Sequence, residues 1–354
     1  MKLLVEINHY PGILEREFDI THMKLGETGA KEDEIIVSSP LGEIPLRIGL
    51  DYLAIRKLAE RYLDFDVVIC TNLPTILAGK KARKMGFSGK IIFDDYGIWP
   101  WRGYLFWGPL GAFFPTWIRA NIISCKEAVN VVVTPSSFER RNAIMKYGFR
   151  PEVVFKIPYT IKDFFSPSVS GKAFRKGLGI DDSEFLITYA GRINPTKGLN
   201  RLVKAFALIR NEIPSRLLIV GKDQGFLREV LSLSRRLNVF EDIIYLGVIH
   251  YRRMPEVYAA SDVVVIPSLY ETFCFVALEA LACGRPIIAS KAGSLPELIG
   301  DAGILCDPSP KNLAKAIKRV WLDEELVKEL GVRGPRRVKE LRSESERILQ
   351  VLLS

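Results

Sequence analysis

Short apolar runs alternate with longer amphipathic segments from about residue 185 to residue 320. The apolar runs are typical of buried parallel strands, whereas the segments with an apolar residue at every third or fourth position are typical of helices. This alternation predicts a doubly wound parallel sheet. The predicted strands are 185–191, 216–221, 243–247, 263–267 and 286–290, and the predicted helices are 199–210, 224–237, 253–259, 274–283, 294–299 and 310–320.

The first half of the chain shows the same alternation less regularly. Residues 15–34 are charged and contain several glycines, and they predict a short hairpin or an ordered loop. Prolines and serines in residues 160–171 predict a linker. The predicted strands are 2–7, 34–38, 66–70, 90–93, 129–134 and 153–159, and the predicted helices are 50–62, 75–85 and 138–147.

The length and composition predict a two-domain globular protein. A chain of 354 residues exceeds one ordinary core, so we expect domains at 1–162 and 163–335 and a terminal segment at 336–354. Hydrophobic residues make up 48% and charged residues 26%, as in soluble proteins. The five cysteines form no CxxC pair, and the first residues fit a buried strand better than a signal peptide. We therefore expect a protein of the reducing cytoplasm.

The net charge and the metal-binding patterns exclude few classes of function. The net charge of +9 permits an anionic partner, which includes a nucleotide, a phosphorylated acceptor, an acidic membrane surface or a nucleic acid, but a soluble basic protein fits equally well. No nucleic-acid-binding module is recognisable, and no GxGxxG follows the first strand, which argues against a dehydrogenase. With three histidines and no HxxH pattern, a zinc site is not expected. Asp64 and Asp66 spell a DxD pattern, but they open a buried strand and are interpreted as structural.

Two acids and two bases are the strongest candidates for chemistry. Glu271 and Glu279 lie in the loop and helix that follow strand 263–267, and Arg192 and Lys197 follow strand 185–191. At the carboxyl ends of parallel strands, cations can hold a diphosphate, Arg through a bidentate fork and Lys as a point charge. Carboxylates there can accept hydrogen bonds from sugar or ribose hydroxyls. Two exposed acids at a helix start, which only favour the helix dipole, are the alternative.

The segments GRINPTKG, YETFCFVALEALACGRPIIAS and AGSLPELI together resemble the C-terminal half of retaining glycosyltransferase family 4, over roughly residues 130–335. Glu271 and Glu279 match the Glu-x7-Glu motif of that family. The resemblance implies a GT-B fold, with two Rossmann-like domains facing a cleft and a C-terminal helix that returns to the first domain. It also implies sugar transfer with retention of configuration, from a nucleotide-sugar co-substrate to a glycan, lipid-linked or small-molecule hydroxyl, without a metal or other cofactor.

The resemblance also assigns expected roles. Arg192 and Lys197, with backbone amides near Phe273, Cys274 and Phe275, would hold the donor diphosphate. Glu279 would accept from the ribose hydroxyls and Glu271 from the donor sugar. The strand ends at Gly191, Gly221 and Val248 would face the nucleotide, although each of them is explained equally well as a strand-terminal turn.

Four positions depart from the family pattern. Only Gly12 remains of a Gly-Gly pair near the donor phosphates, and Cys274 replaces a glycine. Asp94 stands where the family often has a sugar-contacting histidine, with Asp95 beside it, and Tyr159 opens a segment where Asn-Gly-Val-Asp is common. Asp94 and Asp95 could orient the sugar, receive a proton or only cap a loop.

Residues 98–118 hold four of the five tryptophans of the chain, Trp99, Trp101, Trp107 and Trp117. Prolines and glycines interrupt this segment, so it does not predict a membrane-spanning helix. It could line the interdomain cleft or cover a core. Alternatively, it could rest among lipid headgroups on the cytoplasmic face of a membrane, where Trp and Tyr are common, and serve a lipid-linked acceptor.

Two other functions are compatible with the same fold. A sugar-nucleotide epimerase or a phosphorylase would use a similar donor site, and a non-catalytic nucleotide-sugar-binding protein would account for the altered positions Asp94, Tyr159 and Cys274.

Overall fold

The computed structural model describes residues 2–5, 19–25, 34–37, 52–95 and 114–353. The chain divides into two compact units, the first formed by Met1–Tyr159 with Glu344–Ser354 and the second by Thr160–Ser343. Each unit contains a parallel sheet with helices. The predicted pair of doubly wound parallel domains is therefore confirmed. Among the described residues, none of the helices combines the length and apolar character needed to cross a bilayer.

The first unit is built on a seven-stranded sheet with the order β3-β2-β1-β4-β5-β6-β7, in which each described pair is parallel. The central strand β4 is buried along its whole length, which explains its unbroken apolar sequence. The strands are β1 (Lys2–Val5), β2 (Asp19–Leu25), β3 (Glu34–Val37), β4 (Val67–Cys70), β5 (Lys90–Asp94), β6 (Val131–Thr134) and β7 (Val154–Lys156), and the helices described here are Tyr52–Tyr62, Leu73–Lys84, Phe114–Cys125 and Ser137–Tyr147.

Asp66 joins the starts of three neighbouring strands of this sheet. Its carboxylate accepts a hydrogen bond from the Lys2 amide at 2.8 Å, and its carbonyl accepts one from the Lys90 amide at 2.8 Å. These contacts lie at the amino ends of the strands, away from the carboxyl edge where α/β proteins bind ligands. They agree with the structural interpretation of the Asp64–Asp66 pair.

The second unit is built on a six-stranded parallel sheet with the order β10-β9-β8-β11-β12-β13. Chain order reverses between β8 and β11, which makes this the switch point where open α/β sheets place ligands. The strands are β8 (Phe185–Ala190), β9 (Ser215–Val220), β10 (Ile243–Gly247), β11 (Val263–Ile266), β12 (Ile287–Ser290) and β13 (Ile304–Cys306), and the helices before the last one are Lys172–Gly177, Leu199–Ile209, Leu227–Arg236, Met254–Ala260, Phe275–Ala282, Leu295–Ile299 and Pro310–Leu322.

The last helix runs from Glu324 to Leu353 and contains Pro335. Within the second unit, Arg337 of this helix donates to the Glu297 carbonyl at 2.7 Å. Its final residues are grouped with the first unit, where Glu344 pairs with Lys156 at 2.8 Å and the Leu352 carbonyl accepts from Lys90 at 2.7 Å. The charged helices predicted at 323–352 are thus one continuous helix.

Four elements differ from the sequence-based expectation. The hairpin predicted within 15–34 is wrong, because β2 pairs in parallel with β1, and a hairpin joins antiparallel strands. Helix Phe114–Cys125, strand Ile304–Cys306 and helix Lys172–Gly177 were not predicted. The last two are short, and the strand lies at the sheet edge with only half-buried side chains. Such elements carry little hydrophobic periodicity.

Candidate functional site

A hydrogen bond joins the two loops that follow β8 and β11, at the carboxyl edge of the second sheet. The Leu269 amide donates to the Thr196 carbonyl at 2.8 Å. Between them, Gly198 adopts φ +69°, and a Cβ at this position would lie 2.1 Å from the Pro267 carbonyl oxygen. Glycine is required here because the two backbones approach too closely for any side chain.

The charged centre of the site is an ion pair between these loops. The Lys197 ammonium lies 2.6 Å from Glu271 Oε1, and the two side chains are 17% and 5% exposed. The buried Ser268 hydroxyl donates to the same carboxylate oxygen at 2.8 Å. The structure therefore brings together one predicted base and one predicted acid that stand 74 residues apart.

A third loop, after β12, holds the backbone of Glu271. The Ser294 amide donates to the Glu271 carbonyl at 3.0 Å. Gly293 adopts φ +55°, and a Cβ there would lie 1.9 Å from that carbonyl oxygen. The AGSLPELI segment thus sets the position of Glu271 through its backbone.

Arg192 lies beside the ion pair. Its carbonyl accepts a hydrogen bond from the buried Tyr189 hydroxyl at 2.7 Å. Its side chain reaches the surface, yet the surrounding protein lowers the pKa of the guanidinium by desolvation, while the Glu271 carboxylate acts in the opposite direction. The Glu271 carboxylate therefore contacts Lys197 directly and interacts electrostatically with Arg192.

Neighbouring glycines line the strand ends beside these charged residues. Gly191 and Gly221 adopt φ +136° and +146°, and a Cβ on Gly221 would lie 1.8 Å from the Gly191 carbonyl oxygen. The Gly221 amide donates to the Gly247 carbonyl at 2.7 Å, and the following Val248 is 71% exposed. The predicted donor contacts Gly191, Gly221 and Val248 thus follow three adjacent strands at one edge.

Glu279 lies in helix Phe275–Ala282 and is 5% exposed. The Tyr258 hydroxyl donates to Glu279 Oε2 at 2.6 Å, and Tyr251 also interacts electrostatically with this carboxylate. Burial raises the pKa of Glu279, and the two tyrosine hydroxyls work against that rise. The alternative of two exposed acids at a helix start is wrong, since Glu271 and Glu279 are both buried.

Cys274 begins this helix, between Phe273 and Phe275, whose rings meet edge to face at 5.3 Å. The Cys274 thiol is 6% exposed, and burial raises its pKa, with the Glu271 charge acting in the same direction. The Cys274 carbonyl accepts from the Ala277 amide at 3.1 Å, which closes the first helical turn.

The buried thiols of Cys274 and Cys283 lead to a prediction about their reactivity. Burial raises the pKa of Cys283 to about 12, so about 10⁻⁴ of it is thiolate at pH 8. A thiol reagent should label Cys274 and Cys283 at least about 10³-fold more slowly than a free cysteine, and half-buried Cys306 should react first. Peptide mapping after timed alkylation measures this, and urea-denatured protein is the control. Rapid labelling of Cys274 in the native protein would contradict the closed loop described above.

Asp94 and Asp95 belong to the first unit, where they end β5. Both residues are buried, and the buried Tyr159 hydroxyl donates to Asp94 Oδ1 at 2.7 Å. The Asp95 amide donates to the Val133 carbonyl at 2.8 Å. Two of the departures from the family pattern, Asp94 and Tyr159, are thus hydrogen-bonded to each other.

Two predicted regions fall partly or wholly outside the described residues. Gly12 lies outside them, as do Trp99, Trp101 and Trp107. Trp117 is described, and it packs with Ile118 against the core of the first unit. For these two residues the structure supports the core interpretation.

Several site residues were missed by the sequence analysis. Asn194 is 4% exposed; its side-chain oxygen accepts from the Thr196 amide at 3.1 Å, and its amide nitrogen donates to Gln224 at 2.8 Å. The Asn-Pro step that begins the turn Pro195–Lys197 was a detectable signal for this cap. Ser268, Tyr251 and Tyr258 had no local signal.

Comparison with known proteins shows which family the part of the chain around this site resembles. Residues 171–337 match the family model described as glycosyl transferases group 1. The match lies within the second unit and covers a little under half of the chain, and it confirms the resemblance seen in the sequence.

Relatives and solved structures extend the comparison. An uncharacterized glycosyltransferase of Methanocaldococcus jannaschii is 36% identical over 154 residues, which is 42% of this chain and 39% of the relative. A D-inositol 3-phosphate glycosyltransferase of Segniliparus rotundus is 30% identical over 211 residues, which is 57% of this chain and 47% of the relative. The matches therefore span less than half the length of these two relatives.

Structural similarity covers the whole chain. The Anabaena protein HepE, solved in complex with UDP and glucose, superposes with a TM-score of 0.80 and 19% identity over 100% of this chain and 99% of that one. At this identity the similarity shows the fold alone, and it confirms the GT-B class that the sequence motifs implied.

Proposed function

We propose that this protein is a retaining glycosyltransferase that moves a sugar from a nucleoside diphosphate sugar to a hydroxyl acceptor. One observation carries the proposal: Lys197 and Glu271 meet at 2.6 Å at the switch point of the second sheet, beside Arg192. The residues that build this group lie within 171–337, the part that matches the glycosyltransferase family model.

The Lys197–Glu271 ion pair leaves N–H groups of Lys197 available to bind the nucleotide-sugar. An ammonium group has three N–H donors, so Lys197 can bond Glu271 and still offer donors to phosphate oxygens. Arg192 supplies a second cation, and amides at the start of helix Phe275–Ala282 add partial positive charge. Together they would stabilise the diphosphate as it departs and its negative charge grows.

Retention follows from attack on the face that the diphosphate leaves. The bond between the anomeric carbon and the phosphate oxygen breaks, the acceptor oxygen bonds to the same carbon, and the acceptor proton passes to the departing phosphate oxygen. Glu271 would orient the donor sugar through its hydroxyls, and Glu279 would accept from the ribose. This scheme uses no metal or other cofactor. Asp94 and Asp95 would orient the sugar or receive a proton.

A thermal-shift screen tests the donor. The screen compares UDP, GDP and ADP with UDP-glucose, GDP-mannose and ADP-glucose, with UDP-glucose the first choice because HepE binds UDP and glucose. A ligand at 100 times its Kd stabilises a protein by about 2.7 kcal/mol, so the right donor should raise the melting temperature by several degrees. A flat response to all six compounds would contradict the proposal.

Transfer itself is tested with the selected donor. D-inositol 3-phosphate, the substrate named in one relative, glycan acceptors and lipid-linked acceptors form the panel. NMR of the anomeric proton should show retained configuration in the product, and an inverted product would contradict the mechanism. A new sugar nucleotide formed from donor alone would indicate an epimerase, and binding without transfer to any acceptor would indicate a non-catalytic binding protein.

A further inference from the structure

Among the described residues, the Glu279 carboxylate interacts with two tyrosines and forms no ion pair. The Tyr258 hydroxyl donates to Oε2 at 2.6 Å from a fully buried position in helix Met254–Ala260. Tyr251, in the turn that follows β10, interacts electrostatically with the same carboxylate. Tyr251 is 46% exposed, whereas Glu279 is 5% exposed.

Two phenylalanines fix the tyrosine rings. The Phe164 and Phe165 rings meet the Tyr251 ring near edge to face, at centroid distances of 5.5 and 5.4 Å. Phe165 also lies 6.2 Å from the Tyr258 ring. Such aromatic contacts restrict ring orientation, so the hydroxyls stay aimed at Glu279.

We propose that Tyr251 and Tyr258 are positioning residues that hold the Glu279 carboxylate for the 2′ and 3′ hydroxyls of the donor ribose. The inference rests on the proposed function and assigns it two further residues. A carboxylate offers about four lone-pair sites. The Tyr258 hydroxyl occupies one of them, which leaves sites for the two adjacent hydroxyls of a ribose. Neither tyrosine needs to touch the nucleotide.

The surroundings of Glu279 make its ionisation sensitive to these hydroxyls. The titratable groups that face it are Tyr251, Tyr258 and the thiols of Cys274 and Cys283. Burial raises the pKa of all four, so they are neutral near pH 7. Among the described residues, only the tyrosine hydroxyls lower the pKa of Glu279, and losing one of them should raise this pKa further.

The test compares Tyr251→Phe with Tyr52→Phe. Both substitutions remove only a hydroxyl from an exposed tyrosine that interacts with a charged side chain, Glu279 in one case and Lys81 of the first unit in the other. Calorimetry measures binding of whichever of UDP, GDP and ADP binds wild type most tightly, and of its 2′,3′-dideoxy form. Tyr251→Phe should weaken the ribonucleotide about tenfold, as expected for one hydrogen bond to a charged group, and should leave the dideoxy form unchanged.

The pH dependence gives a readout that a merely structural role would not move. Ionised Glu279 accepts two hydroxyls, so ribonucleotide binding should strengthen as pH rises through the raised pKa of Glu279. In Tyr251→Phe the pH midpoint of ribonucleotide binding should move to higher pH. The pH dependence of dideoxynucleotide binding is the control, because it reflects titration of the phosphates without the ribose hydroxyls. Tyr258→Phe should shift both readouts in the same direction.

The outcomes separate the two proposals. Wild type, Tyr251→Phe and Tyr258→Phe could all show the same ratio of ribonucleotide to dideoxynucleotide affinity and the same pH midpoint of ribonucleotide binding. That result would overturn the positioning role and leave the proposed function standing. If none of the three diphosphates binds wild type, the proposed function fails, and the role of Tyr251 and Tyr258 fails with it.

Discussion

Replacing Lys197 with alanine should lower kcat by about 10²–10³-fold, the usual cost of removing one preorganised group that stabilises developing charge. The 2.6 Å contact with Glu271 adds a second reason. Without the ammonium, a carboxylate that is 5% exposed loses the cation that it contacts, and removing one partner of a buried ion pair is costly. The measurement is steady-state transfer with the donor identified by the thermal-shift screen.

Lys204→Ala is the matched control. Lys204 lies on the exposed face of helix Leu199–Ile209, which follows Lys197 in the chain. The substitution removes the same charge without touching the ion pair, and its kcat should stay within twofold of wild type. A Lys197→Ala protein that transfers sugar within twofold of wild type would remove Lys197 from the site.

A double substitution separates the two roles of Lys197. If Lys197 and Glu271 act as one unit, the combination Lys197→Ala with Glu271→Gln should cost far less than the product of the two single effects. Multiplying effects would show that the two side chains contribute independently, and the ion pair would then have no functional meaning.

Gly293→Ala should lower turnover by about 10²-fold, because a displacement of about 1 Å at a reacting group can have that effect. The added Cβ would lie 1.9 Å from the Glu271 carbonyl oxygen, so the backbone that carries Glu271 must move. The φ of +55° adds strain of about 1–2 kcal/mol for a residue with a side chain. Steady-state kinetics and urea unfolding measure the two consequences.

Gly179→Ala separates the clash from the backbone strain. Gly179 has φ +67°, and nothing lies within 4 Å of the Cβ that it would gain. This control should lose about 1–2 kcal/mol of stability and keep its turnover. Equal turnover in Gly293→Ala and Gly179→Ala would mean that the loop after β12 does not position Glu271.

Much of the candidate site could be predicted from local sequence patterns. Arg192, Lys197 and Glu271 were detectable because each follows an apolar run that reads as a buried strand, and the carboxyl ends of adjacent parallel strands meet at one edge. β8 and β11 are neighbours in the sheet, so residues 74 positions apart come within 2.6 Å. The glycines were visible as well, although the carbonyl oxygens that exclude a side chain from them were not.

Contacts between distant side chains were not detectable. The Tyr159–Asp94 hydrogen bond spans 65 residues and the Tyr258–Glu279 bond spans 21, and neither leaves a local pattern. Parallel pairing of β2 with β1 was hidden for the same reason, since the polar segment Asp19–Leu25 owes its strand form to its neighbours in the sheet.

By itself, the sequence determined the α/β class, the parallel character of the second sheet and the loops that carry charged residues, because hydrophobic periodicity and strand-ending motifs are local properties. The tertiary structure alone decided which acid faces a cation and which faces tyrosines. Glu271 pairs with Lys197, whereas Glu279 is buried against Tyr258 and Tyr251. The physical reason is that burial and partner choice depend on how strands order in the sheet, and that order is a property of the folded chain as a whole.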